Sequence, residues 1–470
     1  MHDVPPARLA QREAAAARML AALARAGYGR TDVPVIEPTE LFLRQTGEER
    51  VGQMYAFRYR NRELALRPEF TASVVRAALA DAPDALPARV SYCGPVFRYE
   101  RPGGTRARQF TEIGAELLGA DGPAADAEII GLAYDALRVA GVTNPSLVVG
   151  HVGVARGYLA GLRLDERVRD WLVWSMERLR PDDPDGERVH PALAALLAEE
   201  GDDPVRLPPV QDRDTFLAVL RSAGVALDGG NRRSAEEIVE GMMRKLARRD
   251  ERADVRRALA FLRRLVTLRG TPDDVLPQLE TLLTDEGLGG EGARRLRDVL
   301  AILPAYGVPP DAVTLDMGLG RGLNYYTGIV FQLYADGPEQ LGGGGRYDDL
   351  AGVLGASEPW PAVGFSLGLE AVLARATPQP ESYPPLVVVV QTSGNDLAAA
   401  RLAARLRTLG WTATLSLSGN HVPTTAYAVR ACVDNDAVRW IGVGDEERRV
   451  SFEDLPAPHE DETNGEGRDV

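Results

Sequence analysis

Residues 94–119 read GPVFRYERPGGTRARQFTEIGAELLG. Two runs of alternating apolar residues, RVSYCGPVFRYE and QFTEIGAELLGA, stand on either side of the glycine-containing loop RPGGTRAR. Period-two alternation on both sides of such a loop predicts an antiparallel hairpin. The same stretch carries Arg98, Arg101, Arg106 and Arg108 in a chain whose formal net charge is −14. Local positive charge of that density calls for an anion or for an internal carboxylate partner.

Outward from the hairpin, the flanking segments alternate between strand and helix character. Residues 8–27 place apolar side chains at helical spacing and end at a glycine. DVPVIEPTELFLRQTG predicts a short strand entering a capped helix, MYAFRYRNRELALRPEF a second hairpin, and TASVVRAALADA a helix. Downstream, AADAEIIGLAYDALRVAG predicts a helix and PSLVVGHVG a buried strand. From about Val154 the texture turns helical, with runs such as AEEIVEGMMRKLARR and VRRALAFLRRLVTLRG separated by polar, proline-rich breaks. Strand character returns with TLDMGLGRGLNYYTGIVFQLYAD, LGGGGRYDDL and AVGFSLGLEAVL.

ATPQPESYPP marks a boundary near residue 380, beyond which LVVVVQ, DLAAARLAARLRTLG, WTATLSLS and VRWIGVGDEE predict a small α/β domain. The expected organisation is a core in two parts (1–153 and 311–378) interrupted by a mainly helical insertion (154–310). A small α/β domain (384–455) and an acidic tail (456–470), too polar to bury a core, complete it.

Composition narrows the function classes. At 470 residues, 45% hydrophobic and 26% charged, the chain has the make-up of a soluble globular protein of two or three domains. Cys93 and Cys432 are too few for a disulfide framework, and no apolar run is long enough to span a bilayer. With no signal-peptide pattern in MHDVPPARLAQREAAAARML, a cytoplasmic location is expected. The acidic balance weighs against nucleic acid as the main partner, because phosphate neutralisation favours a basic face. The five histidines are scattered and form no metal-ligand spacing with either cysteine, so no metal or other cofactor is expected. GLGRGLN lacks the G-x-G-x-x-G spacing of a dinucleotide loop.

IEPTELFLRQTGE, LALRPEFTASVVRA, GPVFRYERPGGTRARQFTEIGAELLG, GRGLNYYTGIVF, GGRYDDL and AVGFSLGLE follow one another over some 380 residues. In that order they resemble the catalytic core of class II histidyl-tRNA synthetases. They equally resemble the paralogue of those enzymes, the regulatory subunit of ATP phosphoribosyltransferase. The resemblance implies an α+β fold of class II aminoacyl-tRNA synthetase type: an antiparallel sheet flanked by helices, with the helical insertion and small C-terminal α/β domain attached. It also implies homodimerisation through the N-terminal region.

The resemblance assigns an amino-acid pocket. Glu69 matches the acid that receives a ligand's ammonium group, Glu116 the acid that faces an imidazole, and Arg321 the cation that holds the carboxylate. Tyr325 and Tyr326 match pocket tyrosines, and Glu112 stands where glutamine is usual. Opposite charges for a zwitterion and aromatic walls form a coherent set. Phe70 replaces a glycine and is expected to add bulk beside the ammonium site; Asn324 replaces an aspartate.

The nucleotide half departs further. Arg98 and Arg106 match the arginines that hold ATP phosphate and carboxylate oxygens through planar, paired hydrogen bonds. Ala371 stands where a second arginine is usual, with Arg375 one helical turn later, and Gly103 and Gly104 replace polar residues. The four arginines are therefore expected either to pair with Glu100 and Glu112 or to line a vestigial anion pocket, with Arg98 and Arg106 as its candidates, and no catalytic residue is assigned.

Residues 384–455 faintly resemble an anticodon-binding domain. There Arg401, Arg405 and Arg407 have the spacing of a solvated helix face, and Asp434, Asp436, Asp445, Glu446 and Glu447 crowd the later segment. A tRNA role is not favoured. The expected function is a non-catalytic regulatory subunit that binds histidine. Its expected partner is a short-form ATP phosphoribosyltransferase catalytic subunit, met as a homodimer within a hetero-oligomer. The alternatives are a divergent histidyl-tRNA synthetase using Arg375, and a sensor of another amino acid.

Overall fold

The computed structural model describes residues 3–43, 53–81, 86–99, 107–180, 249–320, 325–377, 386–390, 396–409, 412–416, 428–434, 437–441, 447–451 and 454–455. The chain divides into two compact units, Met1–Pro378 and Gln379–Val470.

The first unit opens with α1 (Pro6–Arg25), β1 (Gly29–Arg30), β2 (Ile36–Pro38), α2 (Thr39–Leu43), β3 (Ala56–Tyr59) and β4 (Arg62–Leu66). It continues through α3 (Thr71–Asp81), β5 (Ala88–Phe97), β6 (Gln109–Leu118), α4 (Pro123–Ala140), β7 (Ser146–His151), α5 (Val152–Ala160), α6 (Glu166–Trp174) and a 3-10 turn, Met176–Leu179. After residue 248 come α7 (Arg249–Val266), β8 (Arg269–Gly270), α8 (Pro272–Asp285), α9 (Glu291–Ile302) and β9 (Val313–Asp316). The unit closes with β10 (Ile329–Tyr334), β11 (Gln340–Arg346), α10 (Leu350–Val353), β12 (Ala362–Gly368) and α11 (Leu369–Leu373).

Nine strands form one sheet in the order β1-β5-β6-β12-β11-β10-β7-β9-β8. Only β1/β5 and β7/β9 pair parallel; the other neighbours are antiparallel. The opening stretch forms the β5–β6 hairpin, paired from Ala88↔Leu118 to Phe97↔Gln109. Alternation sorts β6 between two environments. Ile113, Ala115 and Leu117 face a core shared with α4, while Glu112, Gly114 and Glu116 face the opposite side. The helix α4 suits that core because alanine, isoleucine and leucine fill its buried positions, and it stops at Gly141, whose φ of 101° is left-handed. A smaller sheet, β2-β4-β3, carries the second hairpin.

The region 154–310 is less separate than its helical texture suggests. Within it, Val275, Leu279, Ala293 and Leu296 join the same core as β6 and α4, and β8 extends the main sheet beside β9. Two residues are too few to leave a period-two signal, which is why β8 is illegible in the sequence. The helical run AEEIVEGMMRKLARR, up to its last residue, Arg249, and the acidic tail lie outside the described residues.

The second unit holds a five-stranded sheet, β14-β13-β15-β16-β17: β13 (Leu386–Val390), β14 (Thr412–Ser416), β15 (Ala428–Asp434), β16 (Ala437–Ile441) and β17 (Glu447–Ser451). One helix, α12 (Asp396–Thr408), buries Leu402, Ala403 and Leu406 and exposes Arg401, Arg405 and Arg407. The strands β15 and β17 are additional to those read from sequence; VRAC and ERRVS mix charge into their alternation.

Candidate functional site

The polar side of β6 forms the floor of a small cavity of about 40 Å³, walled by Glu69, Thr71, Arg98, Tyr325, Tyr326 and Tyr347, with Glu116 at its base. Each residue has a distinct structural source. Glu69 and Thr71 come from the turn into α3, Arg98 from just beyond β5, Tyr325 and Tyr326 from the approach to β10, and Tyr347 from the end of β11.

Glu116 is 1% exposed and receives three hydroxyl donors. Thr71 Oγ1 donates to Oε1 at 2.8 Å and Tyr92 Oη to the same oxygen at 3.0 Å, while Tyr347 Oη donates to Oε2. The carboxyl presses against β12: a Cβ on Gly364 would lie 1.5 Å from Glu116 Oε2, so glycine there is a steric requirement. Burial raises the Glu116 pKa to about 8; the three hydroxyls oppose the shift and the nearby Glu69 charge adds to it. Burial likewise raises Tyr92 and Tyr347 well above the usual tyrosine range, with the Glu116 charge reinforcing it.

Tyr325 Oη donates to Glu69 Oε2 at 3.2 Å, which ties the aromatic wall to the carboxylate. The Tyr325 ring also packs at a tilt on Tyr326, 4.8 Å between centroids, and edge-on to Tyr347 at 5.7 Å. Such contacts fix ring positions through quadrupole geometry. Carboxylates at base and side with three tyrosine rings suit a small ligand that carries both an ammonium and a ring N–H.

Of the sequence-derived pocket residues, Glu69, Glu116, Tyr325 and Tyr326 converge on this cavity. Glu112 is a correction: it lies on the same face of β6 but is not among the lining residues, because its carboxylate is bonded to Arg98. Phe70 is a second correction. It is fully buried, stacked on Tyr92 at 4.4 Å and covered by the Arg67 guanidinium at 4.0 Å, so its bulk enters the core rather than the pocket. Arg321 and Asn324 lie outside the described residues, as do Glu100, Arg101 and Arg106. The contributions of Thr71, Tyr92 and Tyr347 went unread. The tyrosine of GGRYD gives only the signal of a packing turn, and Thr71 and Tyr92 look like ordinary helix-start and strand residues.

Among the described residues of the arginine stretch, the cations meet internal partners. Arg98 Nε donates to Pro68 O at 2.8 Å, Nη2 pairs with Glu112 Oε1, and the guanidinium lies 5.0 Å from the Phe110 ring centroid. Arg108 stacks over Tyr99 at 5.1 Å. On α11, Ala371 packs partly buried against the core. Its neighbour Glu370 accepts from Thr111 N at 2.8 Å and Thr111 Oγ1 at 2.9 Å and pairs with Arg12. Arg375 is held at the β10–β11 turn, donating to Asp336 O at 3.2 Å and Glu339 Oε2 at 3.0 Å, and is not among the cavity's lining residues.

A family profile described as Histidyl-tRNA synthetase matches residues 1–181 and 225–372. The chain is 33% identical to a histidine–tRNA ligase of Thermococcus kodakarensis over 347 residues, 72% of this chain and 65% of that protein. It is 32% identical to a histidine–tRNA ligase of Methanocorpusculum labreanum over 420 residues, 88% of this chain and 83% of that protein. Among solved structures, a Bacillus halodurans protein titled an ATP phosphoribosyltransferase regulatory subunit/histidyl-tRNA synthetase shares the fold. Its TM-score is 0.63 at 20% identity, over 92% of this chain and 97% of that one.

Proposed function

The chain belongs to the histidyl-tRNA synthetase family, and within that family we propose that it is a non-catalytic member that binds histidine and regulates a partner enzyme. One observation carries this proposal: Glu69, Glu116, Tyr325 and Tyr326 line one cavity, while among the described residues of the nucleotide half no cation stands free to grip a phosphate. Arg98 is bonded to Glu112 and Pro68 O, Ala371 offers no charge, and Arg375 is engaged elsewhere. A guanidinium missing from developing phosphate charge typically costs about 3 kcal/mol of transition-state stabilisation. An adenylation reaction that loses two such contacts slows by several orders of magnitude.

The partner proposed is a short-form ATP phosphoribosyltransferase catalytic subunit, assembled with a homodimer of this chain. Histidine then acts by binding the inhibited assembly more tightly than the active one; equal affinity for both would shift nothing. Within the pocket, Glu69 takes the ammonium group, Arg321 the carboxylate, and Glu116 with its hydroxyl partners the imidazole.

A second reading is a divergent histidine–tRNA ligase. It is favoured by the 420-residue likeness to a ligase, which is longer than the first unit and therefore continues into the second. Histidine-dependent ATP–pyrophosphate exchange separates the two. The purified chain is expected to bind histidine in calorimetry and to show no exchange; measurable exchange would overturn the regulatory assignment in favour of the ligase.

A further inference from the structure

The turn Met317–Gly320, between β9 and the tyrosine arm, has a bonding partner for each of its backbone N–H groups. Met317 N donates to Leu268 O at 3.0 Å and Leu319 N to Asp316 O at 3.3 Å. Gly318 N donates to Asp316 Oδ1 at 3.0 Å, and Gly320 N to Glu177 Oε1 at 3.0 Å. Asp316 is itself held by Arg180, whose Nη2 reaches Oδ1 at 2.8 Å and Oδ2 at 2.7 Å, with Arg269 Nε 3.6 Å away. A Cβ on Gly318 would lie 3.1 Å from both Arg180 Nε and Val266 Cβ, so a bare backbone is what lets the arginine approach.

These partners share an origin. Glu177 and Arg180 precede residues 181–248 in the chain, and Leu268 and Arg269 follow α7, which begins just after them. The chain thus grips this turn from both roots of that intervening region. Downstream of the same turn, Tyr325 is bonded to Glu69 and packed on Tyr326 and Tyr347. Asp316 is buried, and that burial raises its pKa above the usual aspartate value against the opposing Arg180 charge and Gly318 N–H. Arg180 and the Gly318 N–H are thus the groups that favour the charged carboxylate against its burial.

We infer that Glu177 and Arg180 are positioning residues for the amino-acid pocket, which hold the Met317–Gly320 turn so that Tyr325 and Tyr326 stand in binding register. The consequence is a two-way coupling: whatever moves the roots of 181–248 changes ligand affinity, and ligand changes the roots by the same free energy. The affinity half of this inference rests on the pocket's reading as a histidine site; the anchoring half does not.

The test uses the full chain and two readouts. Trypsin cleavage after Arg321, followed by mass spectrometry, reports how firmly the turn is held without any ligand. Calorimetry with L-histidine reports pocket affinity. Glu177→Gln and Arg180→Gln are each expected to speed cleavage after Arg321 selectively and to weaken histidine about fivefold to tenfold, with Arg180→Lys restoring part of both. Cleavage unchanged in variants that keep the wild-type circular dichroism spectrum overturns the inference. Should Arg180→Gln fail to fold, Glu177→Gln alone decides, because it leaves Asp316 and both arginines in place. Wild-type protein that binds no histidine sinks the pocket's reading instead, and the cleavage readout then decides the anchoring by itself.

Discussion

Arg98 and Glu112 face each other as a closed pair: the guanidinium proposed to derive from a nucleotide site meets a carboxylate four residues along β6 from Glu116 and on the same face. Glu112 is 3% exposed, so the pair is screened little by solvent. Replacing Glu112 by glutamine removes the charge and keeps the shape. Glu112→Gln is expected to raise affinity for ATP, measured by calorimetry, and to cost about 1–2 kcal/mol of stability in denaturant melts through the weakened bond.

Ala371 supplies the complementary test. Ala371→Arg alone is expected to leave ATP binding weak, because Arg98 is still neutralised. The double variant with Glu112→Gln is expected to bind ATP more tightly than either single variant. Additive single effects in the double-variant cycle would mean that the two positions do not act on one ligand.

Glu116 imposes a pH dependence on stability. Its folded pKa of about 8 lies above the glutamate value of 4.5, so the folded state holds a proton the unfolded state has lost. Below the lower value both states are protonated and Glu116 has no effect. As pH rises from there towards 8, the wild type loses stability relative to a Glu116→Gln variant, and the difference levels off above 8. Thermal melts of the two proteins across pH 4–9 check this; parallel curves would show that Glu116 ionises normally.

Gly364 is the most restrictive position in the site. A Cβ there meets Glu116 Oε2 at 1.5 Å, and the three hydroxyl bonds leave the carboxyl nowhere to go. Gly364→Ala is expected to destabilise by about 1–3 kcal/mol, as overpacking does, and to abolish histidine binding. A variant of wild-type stability and affinity would contradict the packing described.

Glu69 and Tyr325 test the ligand's ammonium end. Glu69→Ala is expected to weaken histidine about tenfold or more, because a charged hydrogen bond is lost to a buried group. Tyr325→Phe should cost less, about 1 kcal/mol, since it removes one hydroxyl and keeps the ring. Calorimetry on both variants checks the order; an equal loss would place the two residues in one role.

The β5–β6 hairpin was legible because two strand-like runs flank one glycine-containing loop, and the pairing they form runs without a break over ten residues on each strand. The four converging pocket residues were legible because they sit in motifs quoted as a set. For Glu112 two expectations stood, a pocket residue and an internal partner of the arginines, and the structure holds the second; sequence gives its strand face but not the direction in which a charged side chain resolves its burial. Phe70 misled for the same reason: bulk at a position says nothing about which side of a turn it fills. The turn grip by Glu177 and Arg180 had no signal at all, since it joins residues some 140 positions apart, separated by a long intervening region.

Glu370 bears on how such a site changes over generations. Its carboxylate sews the start of α11 to Thr111 and Arg12 with no part taken by the side chain at position 371. The frame that would present a phosphate-gripping side chain is thus maintained independently of that side chain. Selection can therefore cross between gripping and non-gripping versions of this site, in either direction, without passing through a misfolded protein.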